Sequence, residues 1–470
     1  MSRPSLLRNV SVLALAQAAA MALGFVLWVH LGRTLGTEGL GMLAFGLALV
    51  SYFVLTVALG FDVVGIREVK RAPGLEARIV PEILGVRLVL AGVATLVFAG
   101  VVLSLRLGAA YQAAVLVLGG QVVARSFQLD WVYQARERMG VTSAQQVTSA
   151  AVTAAIALTL VRGPEDLLVA AGALVAGQAV ANLGVFALYA REAGVPRPRF
   201  ERAAWKALLA PALPLAASSL VSQVYYNADK LMLEWLRVTA EVGLYEAAYK
   251  LFALAVAPAS VLYVAFYPRL AGAYGERSTM RAEGRRYGSV MLALGPPLSL
   301  ACAVLAPDLI ALVFGDEYLG ATMALRVLLV YAAFVYLSMT YGVPLMAWNA
   351  EKAYFRAILA GGVANVILNV ALIAPFGPVG AAVATFASEA VVTVGMAWHF
   401  RRHTGTLIPD TLVRAAAVAA MGGLAPAWIG DHLGLPIFAT LPMAALTTLA
   451  AGWATGLLTP RVLADTLLRR

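Results

Sequence analysis

Long apolar runs follow one another from one end of the chain to the other, separated only by short polar stretches. A helix needs about 20 apolar residues to cross roughly 30 Å of hydrocarbon. Such runs fall at residues 10–31, 39–60, 82–105, 109–130, 144–161, 166–190, 207–228, 243–267, 287–306, 321–347, 354–374, 379–398, 412–429 and 437–458. The pattern predicts an all-α polytopic membrane protein with about fourteen transmembrane helices. Two places are less regular. The run at 144–161 is short, and Pro426, Pro436 and Pro442 leave room for a broken or re-entrant segment near the end.

Charge checks the count independently, because positive residues collect in cytoplasmic loops and one missed helix would scramble their alternation from that point onward. With the first segment inside, the cytoplasmic stretches collect Arg3 and Arg8; Arg67, Lys70, Arg71 and Arg78; Arg136 and Arg138; Arg191, Arg197, Arg199, Arg202 and Lys206. The series continues with Arg269, Arg277, Arg281, Arg285 and Arg286; Lys352 and Arg356; Arg401, Arg402 and Arg414; and Arg461, Arg469 and Arg470. About 26 cations fall inside and roughly four, Arg33, Arg106, Arg162 and Arg237, fall outside. An even number of spans with both termini cytoplasmic is expected.

Composition agrees. The 470 residues are 61% hydrophobic and 13% charged, with a mean hydropathy of +0.83, where soluble domains carry about 25% charged residues. A net charge of +10 would suit nucleic acid in a soluble protein. Here it reads as topology and contact with anionic membrane lipids, and no nucleic-acid partner is expected. Cys302 is the single cysteine, so no internal disulfide or cysteine metal cluster can form. His399 and His403 flank Arg401 and Arg402, which would repel a metal ion, and His30 and His432 stand apart. No metal site or cofactor is expected. The first apolar run, about 22 residues, is longer than a signal-peptide core of roughly 7 to 15, so it is expected to stay as the first span. No phosphate-cradling glycine loop occurs, and the loops are too short for a catalytic platform, so an enzyme is not expected.

The chain also repeats itself. Laying HLGRTLGTEGLGMLAFGL (His30 to Leu47) on EWLRVTAEVGLYEAAYKL (Glu234 to Leu251) puts Arg33 on Arg237, Gly39 on Gly243, Leu40 on Leu244 and Leu47 on Leu251. Gly163-Pro164 and Gly377-Pro378 each open an apolar run at a similar offset. Few identities match, so chance is the alternative. A parallel repeat of six helices, with substrate handled between the halves, is a transporter plan. The expected organisation is an N-terminal lobe at 1–190 (helices 1–6), a basic cytoplasmic linker at 191–206, a pseudo-symmetric C-terminal lobe at 207–400 (helices 7–12), and helices 13 and 14 with a tail at 401–470. Prolines separate the lobes. In the first, Pro73, Pro81 and Pro164 fall in loops or at helix starts; in the second, Pro211, Pro214, Pro258, Pro296, Pro297 and Pro344 fall inside spans. They mark either kinks that bend during transport or the ordinary tolerance of membrane helices for proline.

Ionisable residues within spans cost at least a few kcal/mol and tend to pair or to face a cavity. The candidates are Asp62, Arg87, Arg125, Asp130, Asp229, Lys230, Glu246, Lys250, Arg326 and Glu389. For Arg87 and Asp62 the plain reading is structural pairing. Lys250, Arg125 and Arg326 lie deeper in their runs and favour a water-filled cavity. Glu246 and Lys250 are four apart on one helix face. Asp229 and Lys230 are expected at the outer end of helix seven, close to water, as ion-pairing or gating groups. Several deep cations suit an anionic substrate, and a guanidinium donates two hydrogen bonds to phosphate at once. Tyr249, with Tyr225, Tyr226 and Tyr245 in the same stretch, offers flat surfaces for sugar rings, or belongs to the interfacial aromatic belt.

These stretches carry a resemblance. HLGRTLGTEGLGMLAFGLAL, FDVVGIREVKR (Phe61 to Arg71), LDWVYQARERMG (Leu129 to Gly140) and YYNADKLMLEWLRVTAEVGLYEAAYKL occur in the order of corresponding segments in the polysaccharide and O-antigen flippases. The chain resembles this family, part of the multidrug/oligosaccharidyl-lipid/polysaccharide exporter superfamily, over roughly residues 10 to 400. The resemblance implies a two-lobed bundle in a bacterial or archaeal inner membrane that moves a polyprenyl-diphosphate-linked glycan to the outer leaflet by alternating access. It implies Na+ or H+ as coupling ion and polysaccharide polymerase machinery as a partner. Arg33, Arg125, Arg237 and Lys250, with Glu246 and Tyr249, become the expected substrate contacts, and Asp62, Asp229 and Lys230 the ion-pairing groups. The related lipid II flippases point to a cation site at Asn365, Asn369, Thr385 and Glu389, although asparagine stands where an acid would be expected. Asparagines joining helix to helix are the alternative. A lipid II flippase and a cation-coupled multidrug antiporter of the same superfamily are the other transporter readings; the excess of deep cations disfavours the antiporter.

Overall fold

With no water in a bilayer core, each backbone N–H and C=O must be satisfied within its own segment, which an apolar run achieves only as a helix or in a closed barrel. A computed structural model describes residues 3–458, with side chains from residue 17 onward except at position 203. The described residues hold helices and no strand. The expected cytoplasmic cations Arg461, Arg469 and Arg470, and the side chains of Arg3 and Arg8, lie outside the described residues.

The chain divides into two compact units, Met1–Leu231 and Met232–Arg470. The first contains α1 (Arg3–Ala58), α2 (Phe61–Arg71), α3 (Glu76–Ser104), α4 (Ala109–Leu118), α5 (Gly120–Ser126), α6 (Asp130–Ala135), α7 (Met139–Leu160), α8 (Leu167–Ala193) and most of α9 (Arg202–Leu236). The second contains α10 (Thr239–Gly272), α11 (Arg277–Val304), α12 (Ala306–Val313), α13 (Thr322–Ala347), α14 (Glu351–Thr404), α15 (Pro409–Val418), a π-helical turn (Ala419–Leu424), α16 (Ala425–His432) and α17 (Ile437–Ala454). Ten helices among the described residues are long and apolar enough to cross a membrane. The chain is a multi-pass membrane protein.

Two of these helices each carry two expected runs. α1 bends at Gly36 (φ 70°) and α14 at Gly377 (φ 53°), conformations that glycine adopts without a Cβ clash. The run at 109–130 is broken into α4, α5 and the start of α6, while 144–161 falls on the continuous α7 up to its C-cap, Val161. Pro81, expected at a helix start, lies inside α3, because that helix begins at Glu76, ahead of the apolar run. The prolines expected inside spans of the second lobe lie in α9, α10, α11 and α13, which continue through them, and those of α9 belong to the first unit.

In each unit a side chain of the first hairpin reaches the end of the fifth expected helix. In the first, His30 Nε2 lies 3.0 Å from the carbonyl oxygen of Val161, just past the end of α7. In the second, Arg237 Nη1 donates to the carbonyl of Ala374 at 3.1 Å. Pro378 has no N–H to give Ala374 in the helical i→i+4 pattern, so the guanidinium fills a bond that proline removes.

Candidate functional site

The first unit buries a charge cluster where α2, α3 and α5 converge. Gly60, in the left-handed region (φ 77°), turns the chain from α1 into α2 and sets Asp62 in the first turn. A Cβ at Gly60 would lie 2.7 Å from the Leu215 Cβ, so the turn is also packed closely. Asp62 Oδ1 accepts from Arg87 Nη2 at 2.6 Å, and Oδ2 accepts from Arg125 Nη2. Arg87 Nη1 donates to the Gln128 carbonyl at 3.0 Å, and Arg125 Nη1 donates to the Gln128 side chain. Arg87 is completely buried, whereas the side chains of Arg125 and Asp62 keep 17% and 25% of their surface. The buried Nε atoms of both arginines have no hydrogen-bond partner among the described residues. Two guanidiniums thus share one carboxylate and retain donors, an arrangement suited to an incoming oxyanion. Asp130 lies nearby, buried, with Oδ2 accepting from Gln134 at 3.0 Å.

The second unit pairs charge within one helix. Lys250 Nζ stands 2.8 Å from Glu246 Oε1, and the acid is 2% exposed while the lysine is 24% exposed. The exposed face of this pair is positive. Tyr249 lies between them in sequence, its ring 6.0 Å from Tyr245 and 5.2 Å from Phe252, and Phe252 stacks on Tyr331 at 4.8 Å and 15°.

Other expected site residues are placed differently. Arg237 has all three guanidinium nitrogens engaged, Nε and Nη2 by Glu241 at 2.8 and 2.9 Å and Nη1 by Ala374. Arg33 is exposed on α1, three residues before the Gly36 bend. Asp229 and Lys230 are buried, at 3% and 9% exposure, in place of the water-exposed helix end expected. α9 runs on to Leu236, so the pair lies inside the helix and not at its end. Arg326, expected deep in its run, is exposed near the start of α13, its Nη1 3.9 Å from the Met323 sulfur.

Asn365, Asn369, Thr385 and Glu389 are all buried on the two arms of α14. Asn369 Nδ2 donates to Asn365 Oδ1 at 3.0 Å, and Asn365 Nδ2 to Ser388 Oγ at 3.3 Å. Thr385 Oγ1 bonds back to the Ala381 carbonyl at 2.9 Å. Asn369 Oδ1 is buried and has no partner among the described residues. The Asn365 amide therefore joins the two arms. No cluster of three or more His, Cys, Asp or Glu suited to a metal ion occurs among the described residues.

Sequence reasoning gave Arg87 a lesser part than its position at the centre of the first cluster, and it missed Gln128 and Ser388. Ser388 is three residues from Thr385 on one helix, so helical spacing was the available signal there, whereas Gln128 lies in the break between α5 and α6, which no periodicity marks.

Residues 6–273, more than half of the chain, match the family model described as polysaccharide biosynthesis protein. The chain belongs to that family. Among its relatives, the "Putative O-antigen transporter" of Escherichia coli (strain K12) is 23% identical over 402 residues, which cover 83% of this chain and 95% of the relative. The "Probable low-salt glycan biosynthesis flippase" of Haloferax volcanii is 28% identical over 179 residues, 38% of each chain. Among solved structures, this polysaccharide biosynthesis family member has the fold of the lipid II flippase MurJ in its inward closed conformation, with a TM-score of 0.69 at 11% identity over 97% of this chain and 99% of the other. An inward-facing multidrug-resistance MATE transporter of the MOP superfamily gives a TM-score of 0.65 at 14% identity, over 83% and 95% of the two chains.

Proposed function

We propose that the chain is a flippase that moves a polyprenyl-diphosphate-linked oligosaccharide from the cytoplasmic to the outer leaflet by alternating access, for cell-surface polysaccharide biosynthesis. The observation that carries this reading is the pair of cationic sites held by carboxylates, Arg125 with Arg87 on Asp62 and Lys250 on Glu246, each keeping some exposure within apolar sequence. A diphosphate competes for these cations by the same charge-assisted hydrogen bonds that the carboxylates make. When it leaves, Asp62 and Glu246 take them back, so that each of these cations keeps a carboxylate partner in the empty carrier.

Family membership and the relatives' names support a glycan-lipid substrate. Tyr249 and its ring neighbours supply surfaces for sugar, and Arg33 a further cation. Arg237, whose nitrogens are all engaged, acts as a positioning residue for the hairpin between α9 and α10. The distribution of lysine and arginine supports a cytoplasmic membrane with both termini inside. The carrier is coupled to a gradient of Na+ or H+; for Na+ the candidate group is Asn369 with Asn365, Thr385 and Glu389. Its product would pass to polysaccharide polymerase machinery. Translocation of lipid II is the second reading, favoured by the likeness in fold to MurJ over 97% of the chain.

Deleting the gene and identifying the lipid-linked glycan that accumulates on the cytoplasmic side tests the proposal. Accumulation of an O-antigen or capsule-type precursor supports it, and lipid II accumulation favours the second reading. Raised drug sensitivity with no accumulated glycan contradicts both.

A further inference from the structure

A cavity of about 530 Å³ opens at one end of the first unit, lined by Pro73, Gly74, Glu76, Tyr189, Arg197 and Arg199 among others. We infer that it binds the phosphate headgroup of an anionic phospholipid, with Arg197 and Arg199 as the cationic contacts.

The charge in the cavity is unbalanced in the required sense. Glu76 is occupied, both of its oxygens accepting from Arg136, and Glu192 accepts from Arg136 and Arg138 at 2.7 Å each. Arg197 and Arg199 form no ion pair among the described residues. The lining acid is therefore neutralised, and two guanidiniums are left to a ligand.

The wall that carries these arginines is held in place. Arg199 N donates to the Pro81 carbonyl at 3.0 Å, and Trp205 Nε1 donates to the Arg199 carbonyl at 3.3 Å. A Cβ at Gly85 would stand 2.1 Å from that same carbonyl oxygen, so only glycine lets α3 approach the segment this closely. Gly194 (φ 85°) turns the chain out of α8 into this segment.

Two observations select a lipid over a free anion. Two segments apolar enough to span a membrane, Pro73–Ser104 and Pro164–Ala193, start or end among the residues that line the cavity, which puts it at the membrane surface. Beside the arginines, Val195 and Phe200 expose 69% and 60% of their surface, and Phe200 meets Trp205 edge-on at 6.2 Å. Apolar side chains next to a phosphate-binding pair match a headgroup joined to glycerol and acyl chains, whereas inorganic phosphate would use the arginines alone.

The test does not depend on the transport reading, because it measures lipid retention and not export. Native mass spectrometry of the full chain in detergent, titrated with phosphatidylglycerol, should show one lipid retained in preference to phosphatidylcholine. Arg197→Gln with Arg199→Gln should weaken that retention about 30-fold, while Arg106→Gln, beyond the far end of α3, leaves it unchanged. Equal retention by the double variant overturns the proposal. So does displacement by millimolar inorganic phosphate, which would mean a simple anion site, or stronger binding of polyprenyl diphosphate, which would mean a substrate site. On the unaltered protein, a photoactivatable phosphatidylglycerol should label residues 193–200, and labelling confined to other segments also overturns it.

Discussion

Glu246 and Lys250 stand one turn apart on α10 with 2.8 Å between carboxylate and ammonium, and the acid is buried while the lysine keeps 24% of its surface. On the proposed function, this buried acid with its reachable cation is the resting arrangement of a site that takes an anion. Lys250→Ala should abolish export with folded protein still present, and Arg33→Ala should do the same. The check is cytoplasmic accumulation of lipid-linked glycan together with the amount of monodisperse protein. Unchanged export in both variants removes them from the site.

Arg87 and Arg125 hold the same carboxylate but differ in burial. Arg87→Ala removes a fully buried guanidinium together with its bonds to Asp62 and to the Gln128 carbonyl, and should cost about 1–3 kcal/mol through the acceptors left unsatisfied. Arg125→Ala should lower stability less and export more. Thermal unfolding in detergent, set beside export in cells, gives the order; equal melting of wild type and Arg87→Ala would remove the buried triad from the stability argument.

Gly85 allows α3 to meet the Arg199 carbonyl. Gly85→Ala should destabilise by about 1–3 kcal/mol, as overpacking does, whereas Gly74→Ala, with open space around it, should be neutral. A melting-temperature comparison of the two decides, and equal values would mean that the segment yields freely.

Lys70 beside the exposed Glu137 holds that carboxyl below its ordinary 4.5. A folded value below the unfolded one gives stability that is full above the unfolded value and is lost as pH falls through the lowered one. The small melting-temperature gap between wild type and Glu137→Gln at neutral pH should therefore close in acid. A gap that stays constant would show that the pair adds nothing.

The helices were legible because a bilayer leaves apolar sequence few alternatives, and the paired glycine bends fall where the expected runs divide at 36 and 377. The i, i+4 pairing of Glu246 with Lys250 was legible for the same reason: helical spacing alone sets it. The convergence of Asp62, Arg87 and Arg125 was not, because those residues lie on three helices and no periodicity records which helices meet. Arg237 was misleading in another way. Its charge marks it as a ligand contact, but its bond to the Ala374 carbonyl depends on a proline 141 positions later, at Pro378.

Reconstitution tests the central claim most directly. Proteoliposomes holding the purified chain and a fluorescent polyprenyl-diphosphate oligosaccharide, with an imposed Na+ or H+ gradient, would be probed with a reductant that bleaches only the outer leaflet. Wild type should expose the inner-leaflet probe to bleaching, and the Arg125→Ala, Lys250→Ala double variant should leave about half of the fluorescence protected, as protein-free vesicles do. Equal bleaching by wild type and the double variant, or none by wild type under either gradient, would contradict the account.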